Sequence, residues 1–442
     1  MHTGFAAAAA LLALAAAPAL ADEQEDVRGV VERQQKVIDD LQRRLDAVEG
    51  KKADSSSDDE LEAAVDRVLE RRRLEGSAAE DEYLLGGVAR PANSRFRFGG
   101  YASVLYRDPD DPELYSSFTG IRVVPQFVFD VSKGIEFATE IEFEAGGFAE
   151  EFLDDGEVLV EYAEARFQVS DAFVPKAGIL LIPFLRYNLN HDDPMWNLQD
   201  RPFTATRIFK CALQQPGVGA EGVFPLGRHT LNYNLALTNG MDDEVNNEGF
   251  EDARQGFRSD NNDNKTVWAR FGATPRIHIL QAADVGVSFA RGTMDADGDV
   301  VMTGWGIDGK LTEGRFDFIF EFVNFHYERP ATQPPADFPT QTHGAFVQVD
   351  TRLLHGLPES ESGIVGKSSE LILATRFEWA DTNERVTGAS REDETHAFTV
   401  GLAFRFTPKT VVRIERKWEW TAFDGPGVGD LDQWVASLST YF

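Results

Sequence analysis

Arg413, Glu415, Lys417 and Glu419 alternate in sign at every second position. Residues two apart on a strand share a face, so these four would line one side of it. The same parity gathers Arg95, Arg97, Arg122, Lys176, Arg270, Arg315, Arg376 and Arg405. Against them stand Asp130, Glu136, Glu140, Glu142, Glu144, Glu321 and Glu378. Opposed rows of acid and base across water would impose a transverse field on passing ions. The same charges would equally pair with one another and solvate a wall. Both readings stand at this level. A second charged group falls on one long connection, 183–215, which carries Arg186, His191, Asp192, Asp193, Asp200, Arg201, Arg207 and Lys210. Charged groups of both signs on such a segment suit a narrowing that selects solutes.

Other chemistries find no support. There is no G-x-S-x-G and no H-E-x-x-H, and the histidines are scattered. An enzyme, a cofactor and a metal site are therefore not expected. Cys211 is the only cysteine, which rules out an intramolecular disulfide and a Cys-based zinc site and reads as an inert filler. With 74 acidic against 43 basic residues, the chain lacks the basic surface that nucleic acid requires. The carboxylates of 239–263, among them Asp242, Asp243, Glu244 and Glu248, suit either divalent cations bridging lipopolysaccharide or a solvated loop. Asp295 to Asp299 lacks the glycine and distal glutamate of an EF-hand and reads as an Asp-Gly hairpin turn.

The elements that would position these charges are strands. From Arg95 onward, period-two alternation is punctuated by turn residues. Phe96 and Phe98 oppose Arg95 and Arg97; Phe316, Phe318, Phe320 and Phe322 oppose Arg315, Asp317 and Glu321. Ile135, Phe137, Ile141 and Phe143 oppose Glu136, Glu140, Glu142 and Glu144. About sixteen such segments follow, joined by connections that alternate short and long, which is the signature of a transmembrane barrel with tight periplasmic turns and long outer loops. The expected fold is all-β: a 16-stranded antiparallel transmembrane β-barrel preceded by an α-helical coiled-coil segment. Sixteen strands leave an aqueous lumen. Tyr106, Tyr162, Trp268, Tyr327, Trp379, Trp418, Trp420 and Trp434 are candidates for interfacial girdles. Inward aromatics occur only singly, as at Tyr101, Trp268 and Phe346.

Before the barrel, 1–21 reads as a signal peptide, with an apolar stretch from Ala6 to Ala17 and Ala19-Leu20-Ala21 as cleavage signal. Residues 22–75 carry a heptad through Val27, Val31, Ile38, Leu41, Leu45 and Val48, read as a periplasmic coiled coil or as an amphipathic helix on a neighbour. Residues 76–94 form a linker, and 95–442 the barrel. The chain ends in an amphipathic segment with Phe442 last, the feature that outer-membrane assembly machinery reads in known barrels.

The run Lys176-Ala177-Gly178-Ile179-Leu180-Leu181-Ile182-Pro183-Phe184, followed by Asn188 to Pro194 and Asp200-Arg201-Pro202, resembles the fifth strand and inward loop of the phosphate-selective porin O and P family and its general-porin relatives. The resemblance implies a sixteen-stranded barrel, usually a homotrimer, set in outer-membrane lipid and lipopolysaccharide with 183–215 folded inward. Phosphate preference would require a ladder of Arg and Lys. The mixed charge here predicts weak selectivity instead, leaning to cations with the acidic excess. The alternative role is a structural anchor that links the outer membrane to the cell wall through the coiled coil.

Overall fold

The computed structural model describes residues 95–144, 157–245, 249–250, 253–254, 260, 263, 265–328, 339–360, 362–384, 394–421 and 432–442. The signal peptide, coiled coil and linker read from the sequence lie outside these residues. The first eight strands are β1 (Phe96–Pro109), β2 (Ser117–Ser132), β3 (Ile135–Glu144), β4 (Glu157–Phe167), β5 (Val174–Leu181), β6 (Gln214–Leu226), β7 (His229–Thr238) and β8 (Thr266–Thr274). The other eight are β9 (Ala282–Thr293), β10 (Val301–Glu313), β11 (Phe316–Glu328), β12 (Gln341–His355), β13 (Glu370–Glu384), β14 (Glu394–Thr407), β15 (Thr410–Thr421) and β16 (Gln433–Tyr441).

Each strand pairs antiparallel with its sequence neighbours, and β1 pairs with β16, so the sheet closes on itself. Closure removes the unpaired edge that an open sheet would present. The chain divides into two compact units, of which the barrel is one; the described residues of the other, 358–360 and 362–366, form a turn in which Ser360 N donates to Val365 O.

Alternation sets the two faces. Phe98, Phe289, Phe318, Val347, Phe377 and Trp418 stand exposed on the outside, while Arg97, Gln126, Glu140, Arg376 and Glu415 are buried inside. An apolar exterior around a polar interior inverts the plan of a soluble protein and matches a hydrocarbon surround, where closed strands satisfy every backbone group. Val347, in the middle of β12, is 53% exposed. Val347→Arg is expected to destabilise the barrel in lipid vesicles by about 2–4 kcal/mol, the cost of a guanidinium near the bilayer midplane. Val347→Leu should leave the denaturant midpoint unchanged.

Three expectations change. Tyr162, Trp268 and Tyr327 are not girdle residues: their parity turns them inward, where Tyr162 pairs with Glu140, Trp268 is wholly buried and Tyr327 bonds Thr342. Trp418, Trp420 and Trp434 do face outward. Arg315 is exposed in the turn before β11 and does not stand on the wall, because β10 ends at Glu313 and β11 starts at Phe316. The connection 239–265 is not simply solvated, since Met241, Val245, Phe250 and Ala253 are buried.

β4 carries a bulge. Glu140 pairs with Tyr162 and Ile141 with Val160, so Glu161 is an extra, unpaired residue. A bulge interrupts strict alternation, and Glu161 joins Tyr162 on the inner side, wholly buried against His191.

Candidate functional site

The segment 182–213 joins β5 to β6 and is sewn at its neck. Ile182 N donates to Leu213 O at 2.9 Å, and Asn188 bonds both ends, its Nδ2 to Ile182 O (2.8 Å) and its Oδ1 from Leu213 N (3.0 Å). Within it lies one helical turn, α1 (Arg186–Leu189). Leu185, Lys210 and Ala212 hold φ values of 60°, 56° and 60°, a left-handed conformation unfavourable for residues with a Cβ. Such strain persists only where the surroundings fix the chain.

The wall does the fixing. Backbone groups removed from water need partners, and the alternating acids and bases of the barrel provide them. Carboxylates accept from loop amides: Glu321 from Tyr187 N (2.5 Å), Glu378 from Phe203 N (2.7 Å), and Glu415 from Gln199 N (2.7 Å) and Asp200 N (2.9 Å). Guanidinium groups donate to loop carbonyls: Arg376 to Asp200 O (2.8 Å), Arg405 to Pro194 O (2.9 Å), and Arg413 to Trp196 O (2.9 Å) and Asp193 O.

Further bonds join the loop to the wall. Asp193 accepts from Ser103 on β1 at 2.5 Å, Asn197 donates to Asp350 on β12 at 2.8 Å, and Leu185 N donates to Ser288 on β9 at 3.0 Å. β1 and β9 stand eight places apart in a ring of sixteen, the greatest separation the ring allows. The segment therefore spans the barrel from wall to wall.

Part of this contact is apolar. Phe184 stacks on Phe209 and Phe325 with centroids 5.0 and 5.2 Å apart, and meets Trp268 edge-on at 5.9 Å. Leu180, Met241, Phe250, Met294, Met302 and Val323 belong to the same cluster. Glycines on inward strand positions make room: a Cβ at Gly306 would lie 2.6 Å from Leu185 and one at Gly401 2.7 Å from Leu198. Gly178, at φ 142°, is required for another reason, since a Cβ there would come within 2.1 Å of Ala163 O on β4.

The structure places the remaining candidate residues as follows. Arg97 pairs with Asp130 and Glu136. Arg122 pairs with Glu142 (2.9 Å), Glu144 (2.8 Å) and, across to the loop, Asp193 (3.5 Å). Arg270 pairs with Asp308 at 2.5 Å. Arg207 reaches Glu419 at 2.5 Å, which also meets Lys417 at 2.9 Å. Arg186 pairs with Asp284, and Asp200 with Arg107 at 2.7 Å. Glu140 accepts from Gln126, and Asp192 from Tyr441. His191 lies 3.1 Å from Glu161. Lys210 is half-buried near the end of the loop. Arg201 is also half-buried, and its Nε and Nη2 find no hydrogen-bond partner among the described residues.

Loop charges respond to this setting. Burial opposes ionisation of Asp200, but Arg107 and Lys417 outweigh it and hold the carboxyl below its usual range. Burial likewise works against Asp193 and is outweighed by Arg122 and Arg201. Asp192, for which burial prevails, is pushed up to about 6. Burial also opposes charge on His191, and the neighbouring Glu161 raises its value nonetheless. Burial raises the thiol of Cys211, in keeping with a filler.

Sequence reasoning missed Glu161, Glu164, Arg166, Glu221, Asp284, Asp308 and Asp350, of which Arg166 pairs with both Glu164 and Glu221. Parity along their strands carries all of them except Glu161, which the bulge conceals.

No protein-family model matches the chain. An uncharacterized protein of Aquifex aeolicus is 29% identical over 143 residues, and the match spans about a third (32%) of each chain. Among solved structures, OmpF of Salmonella typhi, in complex with daunomycin, aligns with a TM-score of 0.53 at 10% identity, over 78% of this chain and 97% of that one. The fold is that of an outer-membrane porin barrel. An anion-selective porin from Comamonas acidovorans aligns with a TM-score of 0.47 at 10% identity, over 78% of this chain and 99% of that one.

Proposed function

We propose that the chain is an outer-membrane porin that lets small hydrophilic solutes or ions diffuse passively through a lumen narrowed by 182–213. The observation that carries this reading is the attachment of that segment to opposite walls, β1 and β9. The outer apolar face fits outer-membrane lipid and lipopolysaccharide. Just past β16, Phe442 is exposed beside Phe98, which suits recognition by the barrel assembly machinery. A homotrimer follows from the resemblance to general porins.

Phosphate selectivity is not favoured, because Arg97, Arg122, Arg186, Arg207 and Arg270 are each paired with carboxylates. The charges left most open are mixed. Asp130, Glu144 and Asp284 are more exposed than the arginines they pair with, while Arg107, Lys310 and Arg352 are more exposed than their acids. Such a lining supports weak selectivity, with the acidic excess favouring cations.

The test is conductance of the purified full-length protein in planar bilayers under a salt gradient. Long-lived steps with a small cation-selective reversal potential are expected. Anion selectivity with block by phosphate would overturn the selectivity reading. A folded barrel that passes no current would overturn the channel and leave the anchor role.

A further inference from the structure

A compact group of ligand-type side chains sits where the loop meets β3 and β4. Glu140, His191 and Asp192 are all buried, and one ligand atom from each lies within 4.8 Å of the others. A fourth group adjoins them. Glu161 Oε2 lies 3.1 Å from His191 Nε2, and Glu161 Oε1, on a side chain with 0% exposure, has no hydrogen-bond partner among the described residues.

The imidazole fixes what is required. Its Nδ1 lies 2.8 Å from Asn188 O, and a carbonyl only accepts, so Nδ1 carries the hydrogen. In the neutral ring, Nε2 then presents a lone pair to a carboxylate that also only accepts. Something positive must stand there, either a proton held between the ring and the carboxyl or a metal ion. A proton answers the contact with Glu161 Oε2 and no more. It leaves Glu140, Glu161 and Asp192 around a single imidazolium, with Glu161 Oε1 unsatisfied in the interior, an expensive arrangement. Arg122 is committed to Glu142, Glu144 and Asp193, and Arg201, whose charge also acts on Glu161, donates no hydrogen bond to Oε1 among the described residues.

We propose that Glu140, Glu161, His191 and Asp192 bind a divalent first-row transition-metal ion that joins β3 and β4 to the loop. The donor set selects the class of ion. An imidazole nitrogen among carboxylate oxygens suits Zn²⁺, Mn²⁺ or Fe²⁺, whereas Ca²⁺ and Mg²⁺ take oxygen donors. Ligands at about 2.0–2.2 Å from an ion stand roughly 3–4 Å apart, so Glu140, His191 and Asp192 need only a small convergence, and Glu161 would join them from the His191 side. Outer partners already orient them. Asn188 O holds the ring, Gln126 Nε2 donates to Glu140 at 2.9 Å, and Tyr441 Oη donates to Asp192 at 2.9 Å. Such second contacts fix the ligands of protein metal sites. The proposal concerns binding alone and does not rest on the channel reading.

The test uses the full-length folded protein in detergent, stripped with a chelator and titrated calorimetrically with ZnCl₂, with MgCl₂ as comparison. One Zn²⁺ per chain is expected, with Mg²⁺ bound far more weakly. His191→Gln and Glu161→Gln should each weaken Zn²⁺ binding by at least about tenfold, while Asp242→Asn with Asp243→Asn should not. X-ray absorption of the Zn²⁺-loaded wild type provides a readout independent of variant folding, and a single imidazole among oxygen donors is expected. Absence of Zn²⁺ binding, equal binding of Mg²⁺, unchanged affinity in both folded variants, or a shell without imidazole would overturn the site and leave an imidazolium–carboxylate pair.

Discussion

Arg413→Ala is expected to raise single-channel conductance several-fold while leaving a closed barrel. Arg413 is wholly buried and donates to Trp196 O (2.9 Å), Asp193 O, Gln199 Oε1, Ser437 Oγ (2.9 Å) and Ser439 Oγ (3.1 Å). Truncation strands the loop carbonyls, at about 1–3 kcal/mol for each unsatisfied group. The ladders from β14 to β16 do not depend on this side chain, since their bonds run through the backbone. Relief therefore comes from lifting the loop tip toward water, which widens the lumen. Arg413→Lys should behave as the alanine variant does, because one ammonium cannot reach acceptors spread around a planar fork. Planar-bilayer recording checks conductance, and heat-modifiable gel mobility checks the barrel. Unchanged conductance in a loop shown to be released would mean that 182–213 does not set the narrowing.

The second large effect is on stability. Phe184→Ala is expected to cost about 3–5 kcal/mol, the range for emptying a buried aromatic site. Phe184 touches Phe209 from the loop and Phe325 and Trp268 from the wall, so its ring joins two parts of the chain. Truncation should lower the denaturant midpoint in detergent and shift the fluorescence of Trp268, which loses its edge contact. Phe184→Leu should lose less, as it keeps most of the volume. A midpoint within error of the wild type would show that the apolar cluster inside the barrel contributes little.

The barrel was legible because its signal is repeated. Each strand shows the period-two pattern, and parity alone puts Arg376 and Glu378 on the inner side. What escaped was context. Alternation assumes that every residue advances the face by one step, and the bulge at Glu161 breaks that assumption at the carboxylate that meets His191. The apolar cluster escaped because an inner face was taken to meet water. On β11, Asp317 and Glu321 gave the inner face its charged reading, yet Val323, Phe325 and Tyr327 continue that face into a packed core. Whether the acids and bases of β15 form a field or pair was open in sequence. They serve a third purpose, bonding the backbone of the loop, which no pattern within one strand encodes.

The attachment of 182–213 to both the first and the last strand of the barrel has a consequence for the order of assembly. Asp193 bonds Ser103, 90 residues earlier, and Asp192 bonds Tyr441, 249 residues later. Tyr101 and Tyr441 themselves face each other across the β1–β16 junction. Contacts of such sequence separation form late, after shorter closures have brought their partners together. Docking of the loop on β16 must thus await the final strand, so the loop registers completion of the ring, and a chain halted before the last strand would carry it undocked on that side.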